Sequence, residues 1–265
     1  MKRCLAIASV FVVVSTAQAH AHNTACDSAN EVPSPILALI VAYFNTIYAI
    51  PPTQGDSTFC KTMTVVLDNE VKYGRGRIHM NIVSSVGMAP TLEKGDAILS
   101  ISVGYGRVPT RGDVVLFRHG QTTWVKRIVG LPGERVQMVH GVLHLNDSPV
   151  VMARYKDVTG TNHLGQPARI ARYRETLPDG ASYMILKEGH NGPLDNTPVY
   201  VVPANSFFLM GDNRDNSFDS RVPPEAQGPG FVAARDIVSY TGDIAVSKDT
   251  TRIGTAAQPG HLKQK

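Results

Sequence analysis

The chain has 265 residues and a formal net charge of +4, carried at its two ends, so the body between them is neutral. A neutral body lacks the basic face that nucleic-acid binding needs, which sets that partner class aside. An apolar content of 43% is too high for a disordered chain, and 23 glycines with 17 prolines point to many turns.

Residues 1–19, MKRCLAIASVFVVVSTAQA, start with Lys2 and Arg3, continue apolar from Cys4 to Thr16 and end on Ala17-Gln18-Ala19. That is the layout of a secretory signal peptide. A helix from Cys4 to Ala19 is about 24 Å long, short of the ~30 Å hydrocarbon core. The stretch reads as a cleaved leader helix or as an uncleaved anchor. Both export the body and leave Lys2 and Arg3 inside. If cleavage follows Ala19, the new terminus is His20-Ala21-His22, a weak copper or nickel motif that carries no metal assignment.

Residues 20–76 read as a linker that holds one apolar helix over 35–50, begun at Ser34-Pro35 and stopped at Pro51-Pro52. The preceding loop has Asp27 and Glu31 but no Lys or Arg, so a helix lying on a membrane surface or on the body is preferred to a second span. Cys26 and Cys60 remain once the leader is set aside. In an exported chain they suggest a disulfide, with two unpaired thiols as the alternative.

The body, 77–242, reads as mostly β. Asp96–Ile101 alternates, Val114–Phe117 and Thr123–Val129 are strand-like, and Phe207–Met210 is a buried-type strand entering Gly211. Leu143–Val151 looks like a hairpin around Asn146-Asp147. The more polar, glycine-punctuated stretch of about 153–203 reads as an inserted smaller β region. Residues 243–265 turn polar and basic, and read as a flexible, solvated tail.

Three segments carry the chemistry: Gly87-Met88-Ala89-Pro90-Thr91-Leu92 with Lys94-Gly95-Asp96, Lys126-Arg127-Ile128-Val129-Gly130-Leu131-Pro132-Gly133, and Gly211-Asp212-Asn213-Arg214-Asp215-Asn216-Ser217-Phe218-Asp219-Ser220-Arg221. Singly, each has an ordinary reading as a turn, a surface lysine or a carboxylate-rich loop able to hold a cation. Together they closely resemble the bacterial type I signal peptidases, membrane-bound serine proteases that remove signal peptides. The resemblance runs from Ile82 to Ile244, and the third segment matches the family's run GDNRDNSxDSR at every fixed position.

The resemblance implies an antiparallel β body with a Ser/Lys dyad and no cofactor or metal. Lys126 is then the general base. An ordinary lysine is protonated at neutral pH, and an apolar wall such as Trp124, Val125, Ile128 and Val129 would lower its pKa. Ser217 would orient the lysine amine, with Asp219 and Arg221 as a paired support. The backbone N–H of residue 87 and the Ser85 hydroxyl would serve the oxyanion hole. The implied partners are signal peptides of exported proteins and the membrane surface. The implied location is the periplasmic face of the bacterial inner membrane, anchored or peripheral.

One departure matters. The family has serine directly before Met88, and this chain has Gly87. Glycine keeps the N–H but offers nothing to acylate. Ser85 or Ser84 could attack only if the backbone bulges, because a two-residue shift along an extended strand moves a side chain about 6.6 Å. Two readings stay open: a signal-peptidase-like endopeptidase, and a catalytically impaired relative that binds exported peptides or membrane partners. A self-cleaving repressor shares the Ser/Lys chemistry but needs a DNA-binding helix-turn-helix, for which the sequence has no segment.

Overall fold

The computed structural model describes residues 57–73, 78–103, 108–255 and 257. The leader, the apolar helix at 35–50 and the Cys26–Cys60 pairing lie outside the described residues.

The first described element, α1 (Ser57–Tyr73), falls where the sequence reads as linker. Thr62, Val65, Val66 and Asn69 form its buried face at helical spacing. Two of these four are polar, which hides the stripe from a hydrophobicity reading. Thr62 Oγ1 donates to the Ala245 carbonyl at 2.7 Å, and Asn69 Nδ2 donates to Asp243 Oδ2 at 2.8 Å. The helix is thus stitched to a strand by hydrogen bonds as well as by its valines. Among the described residues, no helix is long and apolar enough to cross a membrane.

Among the described residues fifteen strands follow, and their ladders are all antiparallel. They are β1 (Ile78–Ile82), β2 (Ala97–Ser102), β3 (Val114–His119), β4 (Thr122–Gly130), β5 (Arg135–Val139), β6 (Val142–Leu145), β7 (Ser148–Pro149), β8 (Val151–Arg154), β9 (Val158–Thr161), β10 (Pro167–Thr176), β11 (Ser182–Lys187), β12 (Tyr200–Val201), β13 (Ser206–Met210), β14 (Val232–Ala233) and β15 (Ile237–Val246). A seven-stranded sheet runs β1-β2-β15-β3-β4-β13-β14. Beside it stand two four-stranded sheets, one ordered β12-β5-β6-β7 and one ordered β11-β10-β8 with β9 also on β10.

Short turns set the registers. His140-Gly141 and Asn146-Asp147 each have two residues at positive φ, and each closes a two-residue hairpin loop, Val139 to Val142 and Leu145 to Ser148. This is the turn geometry whose twist matches that of the flanking strands.

The smaller β region is larger than the sequence suggests, starting at β5 rather than near 153. Strand β12 returns to pair with β5, which draws 135–149 into that region. Val136, Met138, Leu143 and Leu145 share one buried cluster with Tyr173, Tyr183 and Ile185, and with Val129, Phe208 and Met210 of the seven-stranded sheet. The solvated tail expected from Asp243 also differs from the structure. β15 continues to Val246 between β2 and β3, Ile253 and Ala257 are buried, and Arg252 donates to the Pro90 and Thr91 carbonyls and to Asp96. Its sparse apolar residues, Ile244, Ala245, Val246, Ile253 and Ala257, are the ones that pack.

Candidate active site

Strand β4 places two cations on opposite faces. Neighbouring residues of a strand point opposite ways, so Lys126 and Arg127 diverge. Lys126 pairs in register with Val115, and Arg127 with Val114 on one side and Met210 on the other. Because β13 ends beside Arg127, the loop 211–221 must leave the sheet next to these two cations.

Most residues of that loop have a visible task. Asp212 takes a bidentate bond from Arg127, at 2.8 Å from Nε and 2.6 Å from Nη2, and also accepts from Thr91 Oγ1. Asn213 holds the 86–87 bend, its backbone N–H donating to the Gly87 carbonyl and its amide to the Val86 carbonyl, both at 3.1 Å. Arg214 forks onto Glu175 of β10 at 2.7 and 2.5 Å, and Tyr183 donates to the same carboxylate at 2.6 Å. Asp215 accepts from the fully buried Lys187 at 2.9 Å, which also donates to Asp195 at 2.6 Å. Asp219 and Arg221 form a buried bidentate pair, both contacts at 2.8 Å, and Asp219 also accepts from the Gly211 N–H at 3.0 Å. Ser220 Oγ accepts from the Leu209 N–H. The loop is a clamp joining the large sheet, the second sheet and the 84–92 turn.

Gly211 is dictated by crowding. A Cβ there would stand 2.1 Å from Ser217 Oγ and 2.4 Å from the Gly87 carbonyl oxygen. No other residue lets these two groups approach so closely.

On the cleft side, Lys126 is 5% exposed. Its Nζ donates to the Val125 carbonyl at 3.0 Å and lies 5.6 Å from the Trp124 ring centroid. Among the described residues it makes no ion pair. Burial pushes its pKa below the usual lysine range; the nearby carboxylates of Asp219 and Asp212 oppose that shift without reversing it, and Arg221 adds to it. Asp219 moves down for a different reason. Burial alone would raise it, but Arg221, the Gly211 N–H and the charge of Lys126 together outweigh burial.

Residue 87 sits at the focus of the cleft. A Cβ on Gly87 would lie 3.6 Å from Lys126 Nζ, 3.6 Å from Ser217 Oγ and 3.5 Å from the Asn216 carbonyl oxygen. These are ordinary contact distances, so a side chain fits there. Gly87 also lies outside the positive-φ positions that disfavour side chains.

The six residues singled out from the sequence gather at one place. Gly87, Ser85, Lys126 and Ser217 line a cleft of about 750 Å³, and the Asp219–Arg221 pair lies buried behind the Gly211–Ser217 contact. The hydrogen bond expected from Ser217 to the lysine amine is not formed. Ser217 Oγ is buried without a hydrogen-bond partner, and the amine turns to the Val125 carbonyl instead. Ser84 and Ser85 are exposed on the cleft wall, and 85–86 is a bend rather than extended strand. The cleft is lined further by apolar groups that stay open to solvent: Ile82, Val86 and Phe218. The Glu175–Arg214–Tyr183 and Lys187–Asp195–Asp215 clusters escape a sequence reading, because their partners are far apart along the chain. The charged residues inside the 211–221 run were the only hint of them. Among the described residues, no group of His, Cys, Asp and Glu has the arrangement of a metal site.

A buried lysine with no ion-pair partner among the described residues thus faces the side-chain position of residue 87 across 3.6 Å. The family model for signal peptidase, peptidase S26, matches residues 75–244. Similar proteins include signal peptidase I of Rickettsia massiliae and of Rickettsia felis, each 35% identical over 156 residues, covering 56% of this chain and 55% of theirs. Signal peptidase I of Rickettsia bellii is 34% identical over 130 residues, covering 44% of this chain and 43% of its own. The chain spans about half the length of the curated relatives it matches. A solved signal peptidase I from Enterococcus faecalis is 21% identical, covers 51% of this chain and 97% of that one, and has a TM-score of 0.28, too loose to match residue to residue. The chain belongs to the signal peptidase family, peptidase S26.

Proposed function

We propose that the cleft is the site of a signal-peptidase-I-type endopeptidase acting on signal or leader peptides of exported proteins, at the periplasmic face of the inner membrane. One observation carries this reading: the side-chain position of residue 87 stands 3.6 Å from both Lys126 Nζ and Ser217 Oγ. A serine hydroxyl there would come within reach of an amine whose burial favours the neutral, proton-accepting form. Lys126 is the general base, and Ser217 borders the nucleophile position. Asp219 and Arg221 fix the loop under them, while the residue 87 N–H and Ser85 face the developing oxyanion. The substrate enters as an extended strand along the 82–87 edge, over Ile82 and Val86. Apolar walls suit the uncharged, small-residue ends of export signals.

A second reading rests on Gly87 itself: the scaffold holds exported peptides without cutting them. The full chain in detergent, assayed on an Ala-x-Ala peptide beside Gly87→Ser, separates the cases. Restoring the hydroxyl should raise turnover by about 10⁵–10⁶-fold, the cost of removing a nucleophile in a comparable enzyme. If Gly87→Ser folds but neither cleaves nor binds the peptide, the peptidase site is wrong. Binding with no cleavage by the native chain favours the second reading.

A further inference from the structure

The space beside Gly87 is bounded by three polar groups of complementary kinds. Lys126 Nζ, Ser217 Oγ and the Asn216 carbonyl oxygen stand 3.6, 3.6 and 3.5 Å from the Cβ position. Ser217 Oγ is buried and makes no hydrogen bond. Lys126 Nζ is committed only to the Val125 carbonyl. A water molecule cannot sit as close to the Gly87 Cα as a Cβ does. It must stand about 1.5–2 Å farther out, on the side where a serine oxygen would lie. The pocket is polar on that side: three polar groups border it, and Ser217 Oγ meets a water there once its hydroxyl turns toward the cleft. The carbonyl accepts from it, the hydroxyl can donate or accept, and the neutral amine accepts.

We propose that in this chain a water held by Lys126, Ser217 and Asn216 takes the place of the nucleophile, so that acyl bonds are hydrolysed in one displacement with no acyl-enzyme. The proposal rests on the endopeptidase-type cleft above and deepens it. The water oxygen bonds to the substrate carbonyl carbon while its proton passes to Lys126 Nζ. The tetrahedral oxyanion lies toward the residue 87 N–H. Its collapse breaks the bond to the leaving group, which takes back the proton from the Lys126 ammonium when it is an amine; when it is a nitrophenolate, the ammonium releases that proton to solvent. The product acid then loses its proton to solvent. The base is restored and no atom of the protein changes partners.

The test uses the full chain in detergent with an Ala-x-Ala nitrophenyl ester, whose leaving group needs no proton. Stopped-flow kinetics and intact mass of the quenched protein are read together, for the native chain, for Lys126→Met and for Gly87→Ser. The proposal expects native turnover above the roughly 10³–10⁴-fold over water that binding and an oxyanion hole supply alone. It expects no burst and no mass adduct, and a fall of at least about 10²-fold in Lys126→Met, the typical worth of a general base. Gly87→Ser should instead show a burst and an acyl adduct. Native turnover with an adduct on any serine, or turnover indifferent to Lys126, overturns the water route and leaves the cleft assignment standing. A silent native chain beside an active Gly87→Ser does the same. If the native chain and Gly87→Ser are both silent while folded, the cleft assignment falls first.

Discussion

Lys126 and Arg127 are adjacent on one strand and almost equally buried, yet their surroundings are opposite. Arg127 lies under the sheet with its guanidinium well partnered: Asp212 takes two of its donors, the Gly112 carbonyl accepts another at 2.7 Å, and the Tyr183 ring lies 3.9 Å away. Lys126, one residue earlier, faces the cleft with a backbone carbonyl and an indole ring. The paired cation serves structure, since a buried charge tolerates its loss of water only when an opposite charge is fixed beside it. The unpaired cation gains from becoming neutral, which is what a base requires. The alternation of one strand thus separates a charge-paired face from the face that lines the cleft.

That contrast is broken most sharply by removing a partner from each side. Asp212→Ala leaves Arg127 buried without its counter-charge and should cost about 3–5 kcal/mol in urea or guanidinium unfolding. Lys126→Met removes a buried amine that has no fixed counter-charge; stability should stay level or increase, while ester hydrolysis falls by at least about 10²-fold. If Lys126→Met destabilises as much as Asp212→Ala, the two faces are not different in kind.

Acidity sharpens the same comparison. On the proposed reading Lys126 is a base that works only when neutral, so the rate should climb with pH through its lowered pKa and then level off. For stability, Asp219 has a folded pKa below its unfolded value. Its contribution is complete above the ordinary aspartate value of about 3.9 and is lost as pH falls from there through the folded value. Glu175, held down mainly by Arg214 against the effect of burial, adds a loss of the same sign. Acid unfolding followed by circular dichroism should therefore begin near the ordinary carboxylate range and ease in Asp219→Asn, whose midpoint depends less on pH. The smallest effect belongs to Ser217→Ala. Its hydroxyl has no partner to lose, so stability should change by less than about 0.5 kcal/mol, with ester turnover reduced near tenfold if the hydroxyl holds the attacking group.

The sequence made some of this legible and hid the rest for physical reasons. The Asn146-Asp147 turn, β3, β4 and β13 show because β-branched runs and turn residues act over a few positions. The candidate site residues stand out because chemistry concentrated them in three short runs. Helix α1 was hidden by the two polar residues on its buried face, and the ordered chain past Asp243 by its scattered apolar anchors. The extent of the second region turned on the β12–β5 pairing, a contact between residues far apart in sequence. The orientation of Ser217 depends on a packing detail, the Gly211 approach, that no local pattern encodes.

The central claim is that the amine of Lys126 is a neutral base at the side-chain position of residue 87. Its most direct test is the titration of that amine by nitrogen-detected NMR on lysine-labelled protein, assigned through Lys126→Met. The amine should titrate below the ordinary lysine value of about 10.4, and should shift again when Gly87→Ser brings a hydroxyl against it. An amine that titrates at the ordinary value and ignores the substitution at 87 would contradict the account.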